Sequence, residues 1–199
     1  MVDNLILHLN KQHNLTENDI VSIFRTGGTL LCTSCKDTDY VVVVNSPKRM
    51  QHMWSDKTDN TEYFITDYQT RKKLLSLTPP YNLLHLYILD ELFKPNTTIY
   101  GDHTCELNLL MQKDKYLDML RDQVPKTFTH PCLRWKNYKT TCNRHLWWAI
   151  LGLQMIENNS YEITPEMRNI IQKCHDGILE KKWENWVLDK LNIKKEGLN

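Results

Sequence analysis

Asp37 and Asp39 stand two residues apart, just ahead of the apolar run Tyr40-Val41-Val42-Val43-Val44. On a β-strand, residues i and i+2 project from the same face. The spacing therefore predicts two carboxylates aimed at one point where a buried strand begins. Carboxylates held that close repel each other, and a divalent cation between them removes the conflict. Mg²⁺ suits the position, because it takes oxygen ligands and shares its coordination sphere with phosphates. Gly27-Gly28, closing a predicted strand over 20–25, gives backbone N–H groups room to approach those phosphates. Glu62, on a predicted strand over 61–66, is a further carboxylate, with Asp67 as the alternative to it. Two such strands side by side offer three acids, the donor set of a two-metal phosphoryl-transfer site.

The elements that must position these groups can be read from hydrophobic period and punctuation. Leu5, Ile6 and Leu9 predict a short helix over 3–12. Three strands follow, over 20–25, 39–45 and 61–66, with the polar stretch 46–60 expected as a loop carrying a short helix. Four consecutive valines predict burial on both faces of the middle strand. Helices are then expected over 68–77, 83–93, around Leu107 to Leu120, and over about 134–156. Thr164-Pro165-Glu166 reads as a helix start, Gly177 as its stop, and 178–191 as a last amphipathic helix. The expected class is α+β: a small mixed sheet in residues 1–78, followed by a helical region in 79–199.

The 199 residues carry 25 basic and 24 acidic side chains, a formal charge of +1, which excludes a uniformly basic nucleic-acid coat. The distribution is uneven. Residues 123–156 hold Lys126, Arg134, Lys136, Lys139 and Arg144 and no acid. That stretch reads either as a cationic wall for phosphates or as a buried helix from which acids are excluded. No segment approaches the ~20 apolar residues of a membrane helix, so no membrane association is expected. The N-terminus shows no cationic stretch before an apolar core, so no secretory signal is expected. Six dispersed cysteines are read as reduced thiols of a cytoplasmic protein.

Gly27-Gly28, then Asp37-Thr38-Asp39 and an apolar strand, resemble the signature of the DNA polymerase β-type nucleotidyltransferase superfamily. The nearer likeness is to small nucleotidyltransferases of tailed phages and bacteria, an RNA-repair-associated polymerase β family. The order of Glu62-Tyr63-Phe64-Ile65, a basic-leucine helix, Asp90-Glu91-Leu92-Phe93 and the closing Thr164-Pro165-Glu166 helix is similar to that family's layout. The resemblance implies that Asp37, Asp39 and Glu62 hold Mg²⁺, with Glu62 helping to deprotonate an attacking hydroxyl. It implies that Gly27, Gly28 and Thr29 cradle a nucleoside triphosphate and that Lys139 and Arg144 face its phosphates. The reaction would move a nucleoside monophosphate onto an RNA end or, second, a protein hydroxyl. The setting would be the cytoplasm, or a host's cytoplasm for a phage protein. The chain departs from the pattern at Gly28, where serine is usual, at Cys32, where glycine is usual, and at Trp148, where arginine is usual. The spacing from Gly28 to Asp37 is also short. These departures touch triphosphate binding, so the alternative is a catalytically decayed protein of the same fold that binds or inhibits.

Other motifs have plainer readings. Cys32-Thr33-Ser34-Cys35 is a redox pair or half a zinc site, but no second C-x-x-C completes it. His130 and Cys132 with Cys142 and His145 fit no common zinc spacing. Trp147, Trp148, Trp183 and Trp186 either stack on bases or pack between helices.

Overall fold

Val41, Val42, Val43 and Val44 are each at most 4 % exposed, and they divide between two cores. The computed structural model describes residues 2–31, 38–58, 60–101, 104–129, 138–176, 178 and 180–194, with the backbone alone at 128, 129 and 138–145. The valines lie on β2 (Thr38–Val44), the centre of a five-stranded mixed sheet of order β3-β4-β2-β1-β5. β1 (Ile20–Thr26) runs antiparallel to β2, and β4 (Thr61–Asp67) runs parallel to it. β3 (Gln51–Asp56) and β5 (Thr98–Gly101) are antiparallel edge strands.

One face of the sheet packs under α1 (Val2–His13). There Leu5 and Leu9 meet Ile23, Tyr40, Val42, Val44, Tyr63 and Ile65. Arg25, Tyr40, Tyr63 and Trp54 are neighbours across four strands on this face. Tyr63 stacks on Tyr40 at 5.6 Å and on Trp54 at 5.1 Å. A slip of one residue would turn these rings to the other face, so the stack pins the register. The other face carries Phe24, Val41 and Val43, with Phe64 and Tyr68 against them. Arg71 from α2 (Tyr68–Leu75) and Lys94 from α3 (Asp90–Thr97) are both buried, each 5.8 Å from the Phe24 ring. The irregular pairing between Ile20 and Ser22 sends Val21 to this second face while Ile20 and Ile23 share the first.

The chain divides into two compact units. The first comprises Met1–Leu30, Cys35–Ser76 and Phe93–Glu106, and contains the sheet. The second comprises Leu31–Ser34, Leu77–Leu92 and Leu107–Asn199. Its elements are a 3-10 helix (Leu83–Leu89), α4 (Lys113–Thr129), α5 (Tyr138–Asn158), α6 (Pro165–His175) and α7 (Lys181–Lys190). Trp147 and Trp148 of α5 stack at 4.3 Å and are buried, so they are core. Tyr116 of α4 fits against Gly152, where a Cβ would lie 2.3 Å from its hydroxyl. The expected cap of α6 is present: the Thr164 hydroxyl accepts a bond from Met167 N at 3.2 Å. Gly177 lies outside the described residues.

The class is α+β, with strands first and helices after. Three details of the sequence reading are corrected. Residues 51–56 are a strand rather than part of a loop with a short helix, because β4 supplies the hydrogen-bonding partner that their polar composition does not advertise. Thr98–Gly101 is a fifth strand. It is closed by Gly101 at φ +80°, where a Cβ would sit 1.9 Å from the Val21 carbonyl oxygen. The apolar run at 83–89 winds as a 3-10 helix before α3 begins at Asp90. Among the described residues no helix is long and apolar enough to cross a membrane.

Candidate functional site

Strand register brings two of the three expected acids together. Asp39 on β2 and Glu62 on β4 are direct partners on parallel neighbours, which stand about 4.7–4.9 Å apart. Thr26 of β1 pairs with Asp39 and Ser55 of β3 pairs with Glu62, so Thr26, Asp39, Glu62 and Ser55 form one row across four strands. By strand alternation this row lies on the face that also carries Phe24, Val41 and Phe64. Both acids are half-buried.

The glycine turn is fitted to Asp39. Gly27 has φ +80°, and a Cβ built there would lie 2.0 Å from Asp39 Oδ2. A side chain at 27 is thus excluded both by the backbone and by the carboxylate. The turn continues as a short 3-10 segment, Gly28–Leu30, in which Leu30 N donates to the Gly27 carbonyl at 3.3 Å. The Thr26 and Thr29 hydroxyls are buried and have no hydrogen-bond partner among the described residues. Two acids at paired positions of neighbouring strands, with buried hydroxyls on the adjoining strand and turn, offer the oxygen ligands that suit a hard cation better than a soft metal.

Asp37 lies outside the described residues, as do Cys32, Cys35, His130 and Cys132. The side chains of Lys139, Cys142, Arg144 and His145 lie outside them as well. Asp67, the alternative to Glu62, is committed elsewhere: it caps α2. Its carboxylate accepts from Thr70 N at 2.9 Å and from Met50 N at 2.8 Å. Burial alone would raise this carboxyl, but the hydrogen bonds from Thr70, Met50 and Gln69 outweigh it and hold it below the usual range.

No family model and no curated protein matches the chain. Site chemistry therefore rests on its own residues.

A second constellation was not signalled by the sequence. His8 and His13 of α1 meet His52 of β3, with one ring nitrogen from each within 4.8 Å of the others. Burial lowers His8 and His52 from the ordinary histidine range, and the neighbouring His13 lowers both further. His8 and His13 are five apart, off the helical i,i+4 spacing, and His52 lies on the strand that the sequence hides. The only available cue was three histidines in the first 52 residues.

Proposed function

We propose that the protein is a Mg²⁺-dependent nucleotidyltransferase that moves a nucleoside monophosphate from a nucleoside triphosphate to a hydroxyl, with an RNA end as the acceptor. One observation carries the reading: Asp39 and Glu62 are paired on adjacent parallel strands, with the Asp39 carboxylate seated over Gly27. Carboxylates so placed repel without a cation, and their positions in the chain match those the polymerase β resemblance assigns to metal ligands.

In this reading Asp39 and Glu62 hold the ion, joined by Asp37. Bound Mg²⁺ would neutralise charge on the triphosphate and on the leaving pyrophosphate. Gly27, Gly28 and Thr29 present backbone N–H groups and a hydroxyl to the phosphates. A carboxylate oxygen of Glu62 takes the proton of the attacking hydroxyl. The hydroxyl oxygen bonds to the α-phosphorus, the bond from that phosphorus to the bridging oxygen breaks, and pyrophosphate leaves with the electron pair. The acid-free, cation-bearing stretch 123–156 favours RNA over a protein acceptor.

The test is a screen of the four α-labelled nucleoside triphosphates with Mg²⁺ against total RNA and total protein. Label is expected in RNA, and Asp39→Asn and Glu62→Gln are expected to abolish it while the circular dichroism spectrum is unchanged. Label transfer that survives Asp39→Asn removes this mechanism. Triphosphate binding without transfer would instead favour the decayed, binding form of the fold.

A further inference from the structure

The three imidazoles lie on the α1 face of the sheet, away from Asp39 and Glu62. His13 Nε2 and His52 Nε2 are 3.3 Å apart. A tetrahedral zinc with Zn–N bonds of about 2.0–2.1 Å holds its ligand nitrogens about 3.3–3.4 Å from one another. This pair already has ligand–ligand spacing. A hydrogen bond between two neutral imidazoles explains that contact too, but it leaves His8 unexplained. His8 Nε2 is buried and has no hydrogen-bond partner among the described residues, a costly state for a polar atom. Its ring is not free to turn away, because it stacks on Trp54 at 4.2 Å and an interplanar angle of 14°. Trp54 in turn stacks on Tyr63. One nitrogen is thus clamped by an aromatic stack, a second rides on a strand in register with Ile65, and the third sits at the last residue of α1.

We propose that His8, His13 and His52 form a binding site for a borderline divalent transition ion, Zn²⁺ foremost, with a fourth coordination position left for water or a small ligand. Three imidazole nitrogens select this class over Mg²⁺ or Ca²⁺, which require oxygen donors. Beside the histidines opens a shallow cavity of about 300 Å³, lined in part by His8, Trp54, Asn4 and Asp56. The Asp56 carboxylate in that cavity is held by Asn4 Nδ2 at 3.0 Å and Thr58 N at 2.9 Å, and Lys11 also lines it. The ion would tie α1 to the edge strand β3, an edge otherwise joined only to β4 within the sheet.

The experiment uses the full chain, stripped with a chelator and titrated with Co²⁺ alone, then with Zn²⁺ in competition. Cobalt separates this site from the chain's six cysteines, because a thiolate ligand adds a near-ultraviolet charge-transfer band and imidazole does not. Expected are tetrahedral ligand-field bands in the visible that saturate at one ion per chain, no thiolate band, and displacement by Zn²⁺. His13→Ala changes an exposed side chain, and His8→Phe keeps a ring on Trp54. Each should weaken binding by more than the about 10–100-fold that loss of an outer-shell partner costs. His175→Ala should leave binding unchanged. Failure to take up Co²⁺ or Zn²⁺, a thiolate band, or binding that survives both His13→Ala and His8→Phe overturns the site.

Discussion

The Asp39 carboxylate lies over Gly27 so closely that a methyl group on that α-carbon would stand 2.0 Å from Oδ2. Glycine there does two things: it adopts φ +80°, and it leaves the space that the carboxylate fills. Gly27→Ala is expected to cost about 1–2 kcal/mol from the left-handed backbone alone and to push Asp39 out of line with Glu62. Gly101→Ala is the control. It shares φ +80° and meets a backbone carbonyl at 1.9 Å, far along the sheet from the acids. Urea unfolding should show both variants destabilised. Label transfer per folded molecule should fall at least tenfold only for Gly27→Ala, the scale of about 1.4 kcal/mol in a barrier. Equal transfer in the two variants would show that the glycine serves folding alone.

The paired acids predict a trade between stability and activity. Like charges directly opposite on neighbouring strands destabilise by about 0.2–1 kcal/mol. In chelator, Glu62→Gln should therefore unfold about 1–3 °C higher than the parent chain, given that 1 kcal/mol shifts a domain of this size by about 2–4 °C. Added Mg²⁺ should raise the parent's midpoint by ligand linkage and leave Glu62→Gln unmoved. Differential scanning calorimetry with and without Mg²⁺ reads both effects. A drop in the variant's midpoint in chelator would mean that the pair is stabilising, and the metal argument would lose its basis.

Asp67 gives a prediction about the fold rather than the site. Its carboxylate caps α2 and also ties down Met50 N, which leads into β3. Asp67→Ala removes these bonds and leaves partly buried donors unmet, a loss of about 2–3 kcal/mol. Because the folded carboxyl is held below its unfolded value, its contribution is present above the unfolded pKa and is lost as pH falls through the folded one. Urea titrations from pH 7 to pH 3 should show the parent's stability declining on the acid side, with a shallower decline in Asp67→Ala. Identical slopes would show that the carboxylate makes no difference between folded and unfolded chains.

Which parts of this structure were legible follows from what each residue had to signal. The valines of β2 announce themselves, since only a strand buried on both faces tolerates four in a row. Thr164-Pro165-Glu166 fixes the start of α6, because cap chemistry is local. Gln51-His52-Met53-Trp54-Ser55-Asp56 gives no such signal. It is an edge strand with alternate residues exposed, and its partner, β4, lies later in the chain. The Asp39–Glu62 pair was expected from strand order, and its register required the parallel pairing to be seen. The histidine trio was invisible because it is a long-range product: His13 and His52 are 39 residues apart and meet only once α1 lies across β3.

The same trio sets the last prediction, a fall in stability on mild acidification in metal-free buffer. Folded His8 and His52 take up protons less readily than the unfolded chain does, through burial and the proximity of His13. A base whose pKa is depressed on folding leaves stability unaffected well above its unfolded pKa of about 6.5. Below that value the unfolded chain binds the extra protons, so stability drops as pH falls toward the folded pKa. His85 in the second unit is lowered in the same direction, by burial that outweighs a hydrogen bond to the Asn82 carbonyl and the charge of Asp122. It therefore adds to the total. His13→Ala removes the repulsive neighbour of His8 and His52 and leaves their burial and His85 untouched, so it isolates the effect of the His13 charge. Urea midpoints at pH 7.5 and pH 5.5 should differ less in His13→Ala than in the parent chain. A pH dependence that is unchanged by His13→Ala would leave the burial of His8, His52 and His85 as its source and show that the three rings at α1 and β3 do not sense one another's charge.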